Sequence, residues 1–146
     1  MREQSPFALV DTLRGRIIAL EAALPGMDLP ALLRKDRRVL GADPGAVVRR
    51  LILLSRELGR PDLPTLVSVA PQLLYEEEVE EHLSHTIKSL GALLPADYSL
   101  ARLQAVIAQA PTLIFRLDYY RGARTLADLP ADIRETLMHE RYCCSI

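Results

Sequence analysis

The chain has 146 residues, 49% of them hydrophobic and 25% charged, with a formal net charge of −1 at pH 7. That size and apolar content can bury a core, which excludes a disordered tail, and no apolar run reaches the roughly 20 residues that span a bilayer. Aromatic residues make up only 5% and Trp is absent, so packing must come from Leu, Ile, Val and Ala, which suits close-packed helices better than a β-sandwich.

In chain order, the N-terminal MREQSPFALV lacks the long apolar core of a secretory signal and the Arg- and Ser-rich, acid-poor character of a transit peptide. The chain is therefore expected to be either already processed or not imported. Leu9, Leu13, Ile17, Leu20 and Leu24 recur at helical spacing, and Pro25-Gly26 stops that first helix. Asp28 is a suitable N-cap, with Pro30 in the first turn, for a short helix through Leu32-Leu33. Val47, Leu51, Leu54 and Leu58 form the next long stripe, ended by Gly59, and Asp62-Leu63-Pro64 opens a second short helix.

These elements repeat. Arg16–Leu33 overlays Arg50–Val67 at a constant offset of 34 residues, with identities at Arg16/Arg50, Ile18/Ile52, Leu20/Leu54, Leu24/Leu58, Asp28/Asp62, Leu29/Leu63, Pro30/Pro64 and Leu32/Leu66. A fixed period of about 20 to 50 residues marks a stacked array in which each unit buries its apolar face against its neighbours. A third copy follows if about eight residues, Leu93–Leu100, are inserted: Leu83, Ile87 and Leu90-Gly91 end a long helix, and Leu103, Val106 and Ile107 mark a short one. The short helices then align as LPALLRKDRRVL at 29–40, LPTLVSVAPQLL at 63–74 and LQAVIAQAPTLI at 103–114, each ending in an aliphatic pair. Leu113-Ile114-Phe115 is accordingly read as the end of a unit rather than a strand. Asp128-Leu129-Pro130-Ala131, with Ile133 and Leu137, predicts a capping helix from Asp128 to Arg141. The expected fold is all-α: one domain, residues 1–146, forming a short superhelical array of about three helix-turn-helix units (7–40, 41–74, 75–114) with a C-terminal cap (115–146).

A long helix with a Leu-Gly stop, a short helix and then Pro-x-Leu-Leu resembles the repeat of the mitochondrial transcription termination factor family. Leu58-Gly59 with Pro71-Gln72-Leu73-Leu74, and Leu90-Gly91 with Pro111-Thr112-Leu113-Ile114, carry the resemblance over roughly residues 16–120. In this reading the Gly is the left-handed C-cap that turns the chain back, and the aliphatic pair plugs the wedge between units. The first unit departs: Arg37 stands where the Pro is expected, and Leu24 is followed by Pro25. A tetratricopeptide unit shares the period but not the Trp, Tyr and small-residue pattern, and a pentatricopeptide unit lacks the Pro-x-Leu-Leu element. The resemblance implies an organellar location, mitochondrion or chloroplast. It also implies a superhelix that binds RNA or DNA through basic side chains, with no catalytic residues, cofactor or small-molecule substrate.

The charge distribution offers candidates for that role. Residues 1–60 hold 11 Arg and Lys against 7 Asp and Glu, whereas residues 61–146 hold 7 against 12. Arg34, Lys35, Arg37, Arg38, Arg49 and Arg50 place six cations within 17 residues, enough for several phosphate contacts. The competing reading is an ordinary solvated helix face, diluted by Asp36 and Asp43. The acidic run Glu76-Glu77-Glu78-Val79-Glu80-Glu81 would complement the dipole of the following helix, and would repel phosphate if it shared the basic groove. An acidic docking patch for a basic partner is the alternative.

Other signals are weaker. His82 and His85, with Glu78 and Glu81, lack the distant third ligand of a metal site, so surface histidines are expected. Ser68, Ser84 and Ser89 lie in no nucleophile elbow, and neither a Gly-rich phosphate loop nor a spaced acid pair is present; no enzyme is expected. Tyr119-Tyr120 with Arg121 and Arg124 fits either base stacking or an aromatic seal on the last unit. The adjacent Cys143 and Cys144 cannot readily pair with each other, and Cys143-Cys144-Ser145-Ile146 outlines a prenylation box with Ser145 at an aliphatic position. Two functions follow: nucleic-acid binding through the Arg-rich half, or protein docking into a large organellar assembly such as a ribosome or an energy-converting membrane complex. Cations gathered on one face favour the first; scattered cations favour the second.

Overall fold

The computed structural model describes residues 6–139, and among them all regular structure is helical, with no strand. Helix α1 (Pro6–Ala23) is followed by α2 (Leu29–Lys35) and a 3₁₀ turn (Arg37–Gly41). The order long helix, short helix, 3₁₀ turn then recurs as α3 (Pro44–Glu57), α4 (Leu63–Val69) and Pro71–Leu74, and again as α5 (Val79–Leu93), α6 (Leu100–Gln109) and Pro111–Phe115. Two short helices, α7 (Leu117–Arg121) and α8 (Ala131–Leu137), close the C-terminal end, with a 3₁₀ turn (Leu126–Asp128) between them.

Local chemistry sets these boundaries. Short polar side chains accept the otherwise orphaned N–H groups of a first turn: Asp28 accepts from Ala31 at 3.1 Å, Asp43 from Ala46 at 3.0 Å, Asp62 from Thr65 at 3.4 Å and Ser99 from Arg102 at 3.0 Å. Proline follows the cap in α2, α3 and α4, where its missing N–H costs nothing. Helix α3 ends with Gly59 at φ +68° while the Arg60 N–H returns to the Ser55 carbonyl at 2.8 Å, the Schellman arrangement. Gly26, after the first helix, also adopts a left-handed φ, +77°.

The third unit corrects one expectation. Leu90-Gly91 does not end its helix: α5 runs to Leu93, and the Leu94 N–H still bonds the Leu90 carbonyl at 3.0 Å. The inserted segment leaves the helix in an extended conformation, with Leu94 at φ −83° and ψ 154°. The inserted loop makes the reversal that Gly59 makes in the second unit, so Gly91 needs no left-handed conformation.

The capping helix is also shorter than expected, Ala131–Leu137, and Asp128 does not cap it. Its carboxylate points back and accepts the N–H groups of Arg124 at 2.9 Å and Thr125 at 3.0 Å, which holds it below the ordinary carboxylate range. Ile133 and Leu137 are fully buried, so the apolar stripe read from the sequence is the face that seals the core. Arg141 and the Cys143-Cys144 pair lie outside the described residues.

The core comprises two adjoining clusters. Leu20, Leu24, Leu29, Leu32 and Val39 pack with Val47, Leu51, Val67 and Leu74 of the second unit. A larger cluster joins Leu54, Leu58, Leu66 and Leu73 to Leu83, Leu90, Leu103, Ile107 and Ile114, and extends to Tyr120, Ile133 and Leu137. The aliphatic pairs closing the second and third units are buried, as their wedge role requires. In the first unit Val39 is buried and Leu40 only partly so.

Candidate functional site

The six candidate cations divide into two groups. Lys35, at the end of α2, donates from Nζ to the Ser68 carbonyl of α4. Arg38 donates to Asp36 at 3.1 Å and lies 5.1 Å over the Tyr75 ring, while the Tyr75 hydroxyl donates to Asp36. Burial acts to raise the Asp36 pKa, but the hydrogen bonds from Tyr75 and Arg38 outweigh it and hold the carboxyl below its usual range. Tyr75 is pushed up to about 12 by its own burial and by donating its hydroxyl hydrogen bond to that carboxylate. Arg50, half-buried on α3, donates from Nη1 to the Leu74 carbonyl. Arg34, Arg37 and Arg49 are exposed, with no side-chain hydrogen bond or ion pair among the described residues.

Arg50 belongs to a set that the sequence did not disclose. Arg16 on α1 donates to the Leu40 carbonyl at 3.1 Å, Arg50 on α3 to the Leu74 carbonyl, and the Thr86 hydroxyl on α5 to the Ile114 carbonyl at 3.4 Å. The three acceptors are the last residues of the three aligned twelve-residue segments. Each is the last or next-to-last residue of a 3₁₀ turn, where carbonyls have no onward helical partner. A long-helix side chain thus satisfies the same backbone group in every unit. The Arg16/Arg50 identity was the available signal, and nothing local pointed to its partner.

The cations also meet carboxylates. Arg49, Arg50 and Arg56 line a groove beside α3, with Glu77 and Glu80 on the opposite wall. Lys35 lies elsewhere, in a largely apolar groove between α2 and α4 with Met27, Ala31, Pro64 and Val69. The predicted residues therefore do not converge on one uniformly positive surface. Glu80 and Glu81 occupy the first turn of α5 as expected, whereas Glu76 and Glu77 precede it.

Two of the remaining candidates, His82 and Tyr120, make contacts within the fold. His82 pairs through Nε2 with Glu78 at 3.3 Å and meets Phe115 edge-on, with ring centroids 6.2 Å apart. Among the described residues no three His, Cys, Asp or Glu side chains gather as a metal group. The tyrosine pair divides its roles: Tyr120 is buried and donates to the Leu113 carbonyl at 2.7 Å, which seals the last unit, while Tyr119 is 51% exposed beneath Arg116, 4.7 Å from its ring centroid. Arg116 also pairs with Asp132 of α8, tying the terminal helices together.

No helix among the described residues is long and apolar enough to cross a membrane. Comparison with known proteins finds no family model, no curated protein and no solved structure that matches this chain.

Proposed function

We propose that the chain is a short superhelical array resembling mitochondrial transcription termination factor repeats, without catalytic activity, that docks by protein contacts into a large organellar assembly in a mitochondrion or chloroplast. One observation carries the preference for protein contact: Glu77 and Glu80 share the groove of Arg49, Arg50 and Arg56, so a phosphate entering it meets both signs of charge. Internal engagement of Lys35, Arg38 and Arg50 points the same way. Moving such a cation onto a phosphate breaks a bond the fold uses, whereas a protein partner can match mixed charges in place.

The test is mild affinity purification from the native host with and without nuclease. Retention of the same protein partners after nuclease, with no RNA or DNA recovered, supports docking; loss of every partner on nuclease treatment ends it.

The exposure of Arg34, Arg37 and Arg49 without partners supports a second reading, phosphate contact with organellar RNA or DNA. That reading requires affinity for mixed-sequence RNA or duplex DNA to fall steeply between 50 and 200 mM salt, with a log-log slope of roughly −2 to −3 for three phosphates. Fluorescence anisotropy measures it, and an undetectable or salt-independent signal eliminates it.

A further inference from the structure

Helices α3 and α5 pack side by side, and the groove between them carries opposite charges on its two walls. Arg49 and Arg56 stand on the α3 wall, Glu77 and Glu80 on the other. The groove continues past Glu81, Ser84 and His85 of α5, and its two stretches, of about 340 and 380 Å³, share Leu53, Arg56 and Glu80.

These charges do not neutralise one another within the chain. Among the described residues no ion pair crosses the groove. Arg49, Glu77, Glu80 and Glu81 are exposed, with no side-chain hydrogen bond or ion pair among the described residues, and Arg56 pairs with Glu57 of its own helix at 3.4 Å. A covering surface of one sign meets a like-charged wall: a phosphate backbone or an acidic segment meets Glu77 and Glu80, and a basic segment meets Arg49 and Arg56. Like charges set against each other disfavour a partner, and complementary ones select it. The matching surface therefore carries both signs side by side, in the reverse order.

The chain's own face has that arrangement. In a two-fold pairing the same patch serves both copies, and a contact from one residue to another is repeated in the opposite sense. With the axis along the groove, α3 of each copy lies over α5 of the other, so Arg49 and Arg56 of each face Glu77 and Glu80 of the other. The same rotation reverses the order of the units. It sets residues 1–60 of one copy, net positive, towards residues 61–146 of the other, net negative. A total charge of −1 adds little repulsion between copies. We propose that the groove between α3 and α5 is the seam of a two-fold homodimer held by these reciprocal charge pairs. This rests on the protein-contact reading of the groove and names its occupant, a second copy of this chain.

Sedimentation equilibrium of the purified full chain tests it. The parent should form dimers and no larger species, with an association constant that falls at least tenfold between about 10 and 150 mM salt as the exposed charges are screened. Arg49→Glu with Arg56→Glu, and separately Glu77→Arg with Glu80→Arg, should each weaken self-association at least tenfold. Mixed in equal amounts, these two variants should associate again as a heterodimer. Arg34→Glu with Arg37→Glu makes the same charge change outside the groove and should leave the dimer intact. Far-ultraviolet circular dichroism verifies folding, and Arg49→Gln and Glu77→Gln replace any reversal that does not fold, each expected to weaken the dimer. A parent that stays monomeric, a dimer indifferent to salt or to the groove substitutions, or a mixture that stays monomeric overturns the proposal. If the chain is monomeric yet keeps protein partners after nuclease treatment, only this occupant is wrong; if it dimerises but loses every other partner on nuclease treatment, the docking reading alone fails.

Discussion

Arg16 and Arg50, 34 residues apart, make the same bond: each guanidinium donates from Nη1 to the backbone carbonyl 24 residues later, at Leu40 and at Leu74. The identity of these residues between the first two units thus has a structural cause. Charge-assisted bonds to a carbonyl are stronger than neutral ones, and the Leu74 group has no helical partner to replace Arg50. Arg50→Ala should lower stability by about 1.5 to 3 kcal/mol. Arg50→Lys should recover only part, because a flexible ammonium does not reproduce the planar fork. Thr86→Val, which leaves the buried Ile114 carbonyl without its donor, should cost about 1 to 3 kcal/mol. Urea denaturation midpoints measure all three, and an Arg50→Ala midpoint equal to the parent's would refute the bond's importance.

Two glycines at formally similar places should respond in opposite directions. Gly59 has φ +68°, and a Cβ there would lie 3.1 Å from Gln104 Oε1, whose amide nitrogen donates to the Glu57 carbonyl. Gly59→Ala should destabilise by about 1 to 2 kcal/mol through left-handed strain. Gly91 is inside α5 with nothing within 4 Å of a built Cβ. Gly91→Ala should therefore stabilise by roughly 0.5 to 1 kcal/mol. Thermal unfolding of the pair distinguishes a helix interior from a helix stop.

The Tyr75–Asp36–Arg38 cluster links the two halves of the pH scale. Asp36 is held below its unfolded pKa, so its contribution is present above that value, near 3.8, and is lost as pH falls through the lower folded value. Tyr75 is shifted upward, so its contribution is complete below about 10 and is lost as pH rises through about 12. Asp36→Asn removes both the charge and the strong acceptor. One tyrosine should then titrate at lower pH in a 295 nm absorbance titration, and the acid-side loss of stability should become shallower. An unchanged tyrosine titration would contradict the assignment.

The aliphatic pairs that close the units should differ in importance according to burial. Ile114→Ala, at a fully buried position, should cost about 2 to 5 kcal/mol. Leu40→Ala should cost less, because Leu40 is only partly buried. Equal losses in a denaturant series would mean that the wedge does not depend on burial.

Features read correctly from the sequence depend on contacts within a few residues. An Asp accepts an N–H three residues on, a proline occupies a first turn, and aliphatic residues spaced by three and four line one side of a helix. These interactions placed the caps of α2 and α4 and the stop at Gly59. The same short-range reading misjudged Gly91 and Asp128: each occupies a motif position, but the adjoining loop or turn decides its conformation.

The repeating sequence by itself determined that this protein is helical, where α2 and α4 begin, and that most leucines of the long-helix stripes face inward. Tertiary structure alone decided the partners of the polar residues, because those bonds join positions remote in sequence. Lys35 meets Ser68 across 33 residues, Tyr75 meets Asp36 across 39, and Arg50 meets Leu74 across 24. Packing brings such groups together, and no local pattern distinguishes an arginine that finds a carbonyl from one that remains in solvent. For the same reason Leu13, read as part of the first apolar stripe, is 40% exposed: helical spacing assigns a side chain to a stripe, but only the neighbouring helices determine how much of that stripe is covered.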